Sequence, residues 1–575
     1  MTKKMKGPTL SLCMIVKNEE KFLGQCLESV KDIVDEMIIV DTGSEDRTVE
    51  IAESYGAKVY HHPWQGSFSE ARNHALQYAT CDWILQMDAD EQLEVQDIPI
   101  IKEVVKGTQY NAIYVALLND SPEGWTKHYF QRIYRRGKAH YEGIVHNQLI
   151  YEGADLRTEI RVYHWGYNLS EAEMQAKFKR SGELLLKQLE DDGTDPFAHQ
   201  NYLRVLRASF RFEEGVGHGL HALKVCKDRM TEIHYQMIAY DTAYCMLNSN
   251  QVNKCIELCL EVLRKHPNNI DILYIYACAR LKIKEYEEAV DAYKKVQTLQ
   301  LQEKKSPKHT QLIVDTINFD HRVWGNLSEC YFHLGETTEA EESIKNAIAI
   351  KPKMYVYKMS YAWFLAEMGR MTEAMSMIDH SEHNDDLDHI FYQKLATLFA
   401  KFPVMGNVIQ AFERGVEKFP HSDEMHNSYG YALLDKDRQK AEYEFLKAIS
   451  LNHDHVGAHF GLAKLYMQNK DIEKLESQVN YFLEHVDNHP LLKELGQYCL
   501  NIQQFQWAIS ILSKYIEYEP ENSILLSDIA TAYAKLGQFE AAFIGYQQAL
   551  KINPNDPNLL KNIEILQKLK NFNKT

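Results

Sequence analysis

Two short apolar runs of the sequence each end in acidic residues. Residues 83–87 lead directly to Asp88 and Asp90, and residues 37–40 lead to Asp41. In an open α/β sheet, ligands collect outside the carboxyl ends of the strands, so these carboxylates would share one crevice. Asp88 and Asp90, two residues apart, project to the same side if the strand tip stays extended. The pattern predicts a site for a divalent cation with hard oxygen ligands, either Mg²⁺ or Mn²⁺.

Length and composition narrow the class of protein. A chain of 575 residues exceeds what one hydrophobic core supports, so several domains or an elongated repeat array are expected. A formal net charge of −17 argues against nucleic acid as a partner. Ten cysteines without a CxxC pair favour a reducing cytoplasm. No stretch reaches the roughly 18 apolar residues of a membrane span, and the apolar run near the N-terminus is interpreted as a first strand rather than a secretion signal.

The first 170 residues alternate short β-rich runs with helical segments. This alternation predicts an α/β domain with a Rossmann-like, mixed but mostly parallel sheet. The predicted strands are 10–16, 37–40 and 58–60, and the predicted helices between them are 21–30 and 46–55.

A capping-box pattern opens the next predicted helix. Ser67 would cap the helix and Glu70 would complete the box. This helix carries Arg72 in its first turns, where a positive charge near a helix N-terminus suits an anion. The alternative for Arg72 is a solvated or salt-bridged surface side chain.

After residue 170 the strands give way to paired amphipathic helices. We predict a helical connection with a first degenerate repeat over 171–230, and an all-α repeat superhelix over 231–575 with a capping helix at 555–570. Pro520 and Pro554 are one 34-residue period apart, and the spacing resembles that of tetratricopeptide repeats. Seven residues align with seven others at the same relative positions: Trp324, Leu327, Tyr331, Ala340, Ile344, Ala347 and Pro352 with Leu526, Ile529, Tyr533, Ala542, Tyr546, Ala549 and Pro554.

The acidic residues also have simpler interpretations. Asp88 and Asp90 could cap the segment that starts at Glu91, and Asp41 at a strand end could form a turn. In the functional interpretation, the two carboxylates repel each other unless a cation neutralises them, and Asp41 accepts a hydrogen bond from a nucleobase or ribose. The residues alone leave both possibilities open.

Four sequence blocks together resemble the family 2 glycosyltransferases of the GT-A fold. They follow one another in the order that the family shows, at compatible spacing. The likeness continues through three further blocks and into the helical repeats, as in the bacterial tetratricopeptide-linked branch that includes the sublancin-type peptide S-glycosyltransferases. The four blocks are 13–20, 38–48, 69–73 and 82–91, and the further ones are 132–135, 141–146 and 163–167.

The resemblance implies roles for individual residues. The nucleotide-sugar site would comprise Asn18, Glu20, Asp41, Ser44, Arg72, Asp88 and Arg132. The metal, Mn²⁺ or Mg²⁺, would be held by Asp88, Asp90 and His146. Catalytic roles would fall to Glu142, His146 and Asp90.

The identity of the general base is the least defined of these roles. Relatives commonly carry Glu where this chain has Asn147, and the acidic pair that marks the base in much of the family is not evident. Glu142 and His146 are the first candidates, followed by Asp90 or Glu91. Glu142 could instead be a surface carboxylate, and His146, like His164, a structural histidine.

The resemblance implies an inverting transferase that uses a UDP-sugar. Since a long repeat surface suits an acceptor larger than a metabolite, we predict transfer to Ser, Thr or Cys of a polypeptide held by the repeats. Two alternatives remain: a transferase for a saccharide or cell-envelope polymer precursor, and a non-catalytic scaffold with a vestigial sugar-nucleotide fold. A processive polysaccharide synthase is disfavoured because neither membrane helices nor a QxxRW block is present.

Overall fold

A computed structural model describes residues 7–119, 126–145, 147–165, 171–305, 314–486 and 490–572. The chain divides into two compact units, Met1–Lys351 and Pro352–Thr575. Each unit is described separately below. Within the described ranges, no helix is both long and apolar enough to cross a bilayer.

The N-terminal part of the first unit is built on one large sheet. Eight strands pair in the order β3-β2-β1-β4-β7-β6-β10-β5, and β8 and β9 form a separate two-stranded sheet. The strands are β1 Leu10–Val16, β2 Glu36–Asp41, β3 Lys58–His61, β4 Trp83–Gln86, β5 Glu91–Leu93, β6 Tyr110–Asn119, β7 Thr126–Arg135, β8 Ala139–Glu142, β9 Gln148–Tyr151 and β10 Ala154–His164.

The large sheet is mixed, as the sequence pattern predicts, with four parallel and three antiparallel pairings among the described strands. In the described chain, β1 pairs in parallel with β2 and β4, as do β2 with β3 and β6 with β10. The pairs β4–β7, β6–β7 and β5–β10 are antiparallel. No described helix lies between β6 and β7, and antiparallel neighbours need no crossover helix. The alternation of strands and helices holds only for the first half of the sheet.

Four helices flank the sheet strands. They are α1 Leu23–Val30, α2 Thr48–Ser54, α3 Phe68–Leu76 and α4 Ile98–Val104, with a short 3₁₀ turn at Val95–Asp97. The N-cap prediction for Ser67 is confirmed, since its hydroxyl accepts from the Glu70 backbone N–H at 3.2 Å, whereas the Glu70 carboxylate, predicted to complete the box, lies 2.8 Å from Nε2 of His62. The helices α1 and α2 each begin two residues later than predicted.

The remainder of the first unit is helical. Its helices are α5 Glu171–Asp191, α6 Pro196–Ala208, α7 Phe212–Val225, α8 Glu232–Asn248, α9 Val252–Lys265, α10 Ile270–Lys282, α11 Tyr286–Lys305, α12 Asp320–Leu334 and α13 Thr337–Ile350. Val145, from the segment after β8, packs in one apolar cluster with Leu185 of α5 and Leu206 of α6. Because Val145 shares this cluster with α5 and α6, packing continues from the segment after β8 into the first helices.

The second unit contains thirteen helices within its described residues. They are α14 Tyr355–Glu367, α15 Met371–Asn384, α16 His389–Lys401, α17 Val408–Lys418, α18 Asp423–Leu433, α19 Arg438–Leu451, α20 Val456–Asn469, α21 Ile472–His485, α22 Pro490–Asn501, α23 Phe505–Ile516, α24 Ser523–Lys535, α25 Phe539–Ile552 and α26 Pro557–Phe572. Ala542 of α25 is fully buried, and its repeat equivalent Ala340 is 2% exposed. Small residues at these positions let paired helices approach closely. The predicted capping helix corresponds to α26, whereas the boundaries at 170 and 230 stay predictions.

Candidate functional site

Asp88 lies at the carboxyl end of β4 between two arginines. An Nη of Arg72 on α3 donates to Asp88 Oδ1 at 2.6 Å, and an Nη of Arg132 on β7 donates to Oδ2 at 3.2 Å. Gln86 of β4 also donates to Oδ1, at 3.1 Å. The helix α3 and the strands β4 and β7 therefore deliver two positive charges to one carboxylate.

The charge state of Asp88 follows from these neighbours. Burial alone would raise its pKa, but the guanidinium groups of Arg72 and Arg132 hold the pKa well below its usual range. The side chains of Arg72 and Arg132 are 13% and 11% exposed. Within the described residues, the buried Nε atoms of both arginines have no hydrogen-bond partner. Each arginine therefore keeps one N–H donor unpaired in this arrangement.

Glu91 forms the floor of the same cluster. Its carboxylate accepts from the Asp88 backbone N–H at 3.0 Å and pairs with Arg132. Burial raises the pKa of Glu91, although the charge of Arg132 opposes this effect. Glu91 is 2% exposed and supports Asp88 and Arg132 through these contacts, while its role as a general base stays a prediction.

Asp90 contacts a histidine that lies much later in the sequence of the domain. Its Oδ2 lies 3.2 Å from Nε2 of His164, the last residue of β10. The other ring nitrogen, Nδ1, lies 2.8 Å from Oδ1 of Asn119 at the end of β6. Burial alone would lower the pKa of His164, but the hydrogen bond and charge of Asp90 raise it. Since Asn119 fixes the ring, Asp90 and His164 present one oxygen and one nitrogen side by side, a donor set that fits a divalent metal ion.

Glu19, in the loop after β1, faces the same cluster. Burial, followed by the charges of Asp90 and Asp88, raises its pKa to about 7. The charge of Lys177 on α5 acts in the opposite direction, which brings the first helix after the sheet into the surroundings of the site. Sequence reasoning selected the neighbours of Glu19 and missed Glu19 itself.

Asn18 and Glu20 join the loops that follow β1 and β2. Asn18 Oδ1 accepts from the Glu45 backbone N–H at 2.8 Å, and its own N–H donates to the Ser44 hydroxyl at 3.0 Å. A Glu20 carboxylate oxygen accepts from the Arg47 backbone N–H at 3.2 Å. Asn18 has a left-handed backbone with φ of 55°, a conformation that asparagine tolerates. These contacts shape the rim of the crevice, and a nucleotide role for Asn18, Glu20 and Ser44 stays a prediction.

Asp41 ends β2 and organises the turn that follows. Its carboxylate accepts from the Ser44 backbone N–H at 3.1 Å and lies 3.3 Å from Nδ1 of His61. Asp41 is 4% exposed. The turn-forming interpretation of Asp41 therefore describes its contacts, and contact with a nucleotide stays a prediction.

Glu142, the first candidate base among the described residues, lies in a different region from the acidic cluster. Glu142 ends β8, with a side chain that is 64% exposed and lies 2.9 Å from Nε2 of His140. It lines a cavity of about 670 Å³ together with Glu70, Asn73 and His74 of α3. His146 falls outside the described residues, so its predicted metal and catalytic roles are neither supported nor opposed.

His164 is the site residue for which the sequence signal was weakest. The sequence leaves open that it is a structural histidine, yet it ends a strand, as do Asp41 and Asn119. A polar residue at the carboxyl end of a strand was the signal that identified Asp41, and the same criterion selects His164. The separation of 74 residues from Asp90 hid the pairing.

The mixed sheet, with Asp88, Asp90 and two arginines at one edge, defines a GT-A-type α/β domain. Residues 11–161 match the sequence profile of Glycosyl transferase family 2. Residues 321–354 and 525–556 match the tetratricopeptide repeat profile, and residues 222–296 match that of anaphase-promoting complex, cyclosome, subunit 3. The chain thus carries a family 2 glycosyltransferase domain followed by tetratricopeptide repeats.

Each of two curated relatives resembles only part of the chain. It is 31% identical over 199 residues to the SPbeta prophage-derived glycosyltransferase SunS of Bacillus subtilis, covering 33% of this chain and 47% of SunS. It is 58% identical over 84 residues to a TPR repeat-containing protein of Synechococcus elongatus, covering 15% of this chain and 21% of that protein. The chain therefore spans about half or less of the length of these relatives.

Among solved structures, similarity extends to glucosyl-3-phosphoglycerate synthase from Mycobacterium tuberculosis, determined in complex with Mn²⁺ and UDP-glucose. The match has 23% sequence identity and a TM-score of 0.18, and covers 19% of this chain and 44% of that chain.

Proposed function

We propose that this chain is a metal-dependent, inverting glycosyltransferase. It would move a sugar from a nucleoside diphosphate sugar, with UDP as the nucleotide, to Ser, Thr or Cys of a polypeptide. The observation that carries this proposal is the convergence of Arg72 and Arg132 on Asp88, beside the Asp90–His164 pair. Both groups lie at the end of the sheet where β4 and β10 finish. The match to the family 2 glycosyltransferases over residues 11–161 supports it.

The arginines would bind the diphosphate. When the bond between the anomeric carbon and the diphosphate oxygen breaks, its electron pair leaves with the diphosphate. Arg72 and Arg132 can stabilise this charge through their own positive charges, which lie together at Asp88. One such preorganised donor typically contributes about 3 kcal/mol to transition-state stabilisation. Asp88 keeps both guanidinium groups oriented before the donor arrives.

Asp90 and His164 would hold the divalent ion, Mn²⁺ or Mg²⁺. A mixed carboxylate and imidazole pair accommodates Mn²⁺ more readily than Mg²⁺, which prefers oxygen ligands alone. A bound ion would supply positive charge to the diphosphate. The sequence-based assignment also includes Asp88 and His146, which stay candidate ligands, and both oxygens of Asp88 accept hydrogen bonds from arginines.

The acceptor would attack the anomeric carbon from the face opposite the diphosphate. Its oxygen or sulfur forms the new glycosidic bond in the same step in which the diphosphate leaves, so the configuration inverts. The acceptor proton passes to a general base, for which Glu142 and His146 stay the candidates. A base in this position contributes about 10²- to 10⁴-fold to the rate.

A polypeptide acceptor is supported by the direct connection of the transferase domain to helical repeats. Lys177 of α5 acts on Glu19, and Leu185 of α5 packs against Val145 beside the predicted base region. Residues that would select an acceptor can therefore come from the first repeat helices as well as from the sheet. The ten unpaired cysteines, nine of them buried, favour a reducing compartment, and we propose the cytoplasm.

Incubation of the full chain with a panel of UDP-sugars and Mn²⁺ tests this function. Intact-mass analysis of cellular polypeptides should reveal hexose or N-acetylhexosamine additions. Modification of saccharide precursors alone would favour the alternative acceptor class. Absence of both transfer and donor hydrolysis, with every sugar and with either metal, would contradict catalysis and leave the scaffold interpretation.

Truncation after Lys351, at the boundary of the first unit, tests the role of the second unit in acceptor selection. We expect the truncated chain to hydrolyse donor at an unchanged rate and to lose transfer to protein. Far-UV circular dichroism and donor hydrolysis establish that the shortened chain is folded. Unchanged transfer to the same polypeptides would exclude the second unit from acceptor recognition.

A further inference from the structure

Two histidines and a glutamate meet between β3 and α3, apart from the proposed donor site. His62 directly follows β3, and Glu70 and His74 lie one helical turn apart on α3. Successive helix residues rotate by about 100°, so Arg72, two positions from each, projects from the opposite side of α3. This group is therefore separate from the cluster around Asp88.

The three side chains are close enough to share one ion. His62 Nε2 lies 2.8 Å and 3.1 Å from the two carboxylate oxygens of Glu70. The rings of His62 and His74 stack with centroids 3.9 Å apart. One potential ligand atom from each of the three residues lies within 4.8 Å of the others. Among the described residues, this is the one group of three or more His, Cys, Asp or Glu side chains whose potential ligand atoms all lie within 4.8 Å of one another.

We propose that His62, Glu70 and His74 bind a divalent transition metal ion of the Zn²⁺ class. Two imidazoles and one carboxylate are the donor set that suits Zn²⁺, whereas Mg²⁺ prefers oxygen ligands. Three protein ligands leave a fourth position for water or another ligand. The inference does not depend on the proposed transfer reaction.

Coordination requires a local rearrangement of side chains. The stacked rings must rotate until one nitrogen of each points at the ion, because a lone pair lies in the plane of its ring. The side chains of His62 and Glu70 are 19% and 41% exposed, which leaves space for this rotation. His74 Nε2 lies 3.1 Å from the Tyr78 hydroxyl. If Nδ1 of His74 binds the ion, this contact persists; if Nε2 binds the ion, the contact is lost.

The position of the group gives the ion two consequences. An ion shared by His62 and α3 would fasten the edge of the sheet to the helix that carries Arg72. Glu70 and His74 also line the cavity of about 670 Å³, so the ion would be accessible from that cavity. We expect Zn²⁺ to raise the unfolding temperature of the full chain, since a ligand that binds only the native state stabilises it.

Cobalt binding provides a direct test, with the visible absorption of four-coordinate Co²⁺ as readout. The full chain carrying Asp90→Asn is used so that the proposed donor-site metal does not contribute. We expect one Co²⁺ bound at micromolar concentration, displaced by Zn²⁺. His62→Ala and His74→Ala should each lower the affinity by more than about tenfold, the loss that removal of even a ligand's hydrogen-bond partner causes.

His61→Ala is the matched control, because His61 is adjacent in sequence and its side chain is 68% exposed. It should leave the Co²⁺ spectrum unchanged. If either alanine variant loses its far-UV circular dichroism, Glu70→Gln replaces it, since the amide preserves volume. Equal Co²⁺ affinity in His62→Ala, His74→Ala and the parent, or no Co²⁺ uptake by the parent, would overturn the proposal.

Discussion

The imidazole Nε2 of His164 lies 3.2 Å from Oδ2 of Asp90, although the two residues are 74 positions apart in the chain. The contact joins the carboxyl end of β10 to the segment after β4. It also places the histidine where its other nitrogen reaches Asn119. The paired donor set therefore exists only because three strands end at the same edge of the sheet.

Asp90→Asn should abolish metal-dependent donor turnover while the chain stays folded. The amide keeps the size of the side chain but removes the negative charge that holds a cation. Donor hydrolysis across a Mn²⁺ titration measures the effect. Asp454→Asn, at a side chain that is 83% exposed, is the control. Full activity of Asp90→Asn at the Mn²⁺ concentration that the parent needs would remove Asp90 from the metal site.

Asn119→Ala tests the orientation of His164. Without the acceptor on Nδ1, the imidazole loses its fixed tautomer and ring position, so we expect metal affinity to fall about 10- to 100-fold. Saturating Mn²⁺ should restore most of the turnover, because Asn119 does not contact the ion. A fall in maximal turnover with unchanged Mn²⁺ dependence would contradict this positioning role.

Asp88→Ala should destabilise the sheet domain by about 3 kcal/mol, because it leaves the buried guanidinium of Arg72 without its carboxylate and leaves Arg132 with Glu91 alone. Hydrogen exchange of peptides from β4 and α3, measured by mass spectrometry, localises the loss. Arg47→Ala breaks a surface pair with Glu50 whose side chains are 70% and 67% exposed, and should leave exchange unchanged. Equal protection from hydrogen exchange in Asp88→Ala and the parent would mean that water replaces the lost carboxylate as the partner of the arginines.

Glu36 should contribute to the acid sensitivity of the fold. Despite the opposing effect of burial, hydrogen bonds from Ser11, Thr80 and Lys58 lower the pKa of Glu36 to about 2. Since the folded value lies below the unfolded value of about 4.3, this stabilisation is present above pH 4.3 and is lost as the pH falls towards 2. Glu36→Gln should flatten the pH dependence of the unfolding temperature in that range. It should also lower the unfolding temperature at neutral pH. An unchanged pH profile would contradict the assignment.

Two helical glycines should respond oppositely to substitution by alanine. A Cβ on Gly461 of α20 would lie within 2.3–2.7 Å of the buried Phe445 ring, so Gly461→Ala should destabilise the second unit by about 1–3 kcal/mol. A Cβ on Gly217 of α7 meets nothing within 4 Å, so Gly217→Ala should stabilise its helix by about 0.5–1 kcal/mol. Thermal unfolding and local hydrogen exchange report both. Destabilisation by Gly217→Ala would contradict the observation that a Cβ at this position meets no other atom.

Much of the architecture was predictable from local pattern. The buried apolar run of β1 and the capping side chain of Ser67 act within a few residues, and both elements form where the sequence indicates. The antiparallel half of the sheet was not predictable in this way. The pairing of β4 with β7 and of β5 with β10 depends on contacts between strands far apart in the sequence, which leave no local periodicity.

The sequence by itself determined the two-part architecture and the acidic residues at the strand ends, because strand and helix periodicity are local properties of the chain. Tertiary structure alone decided which of those acids receive positive partners. Arg72 and Arg132 neutralise Asp88, whereas Asp90 receives His164. The physical reason is that charge pairing depends on distance in space, and the order of strands in the sheet sets that distance.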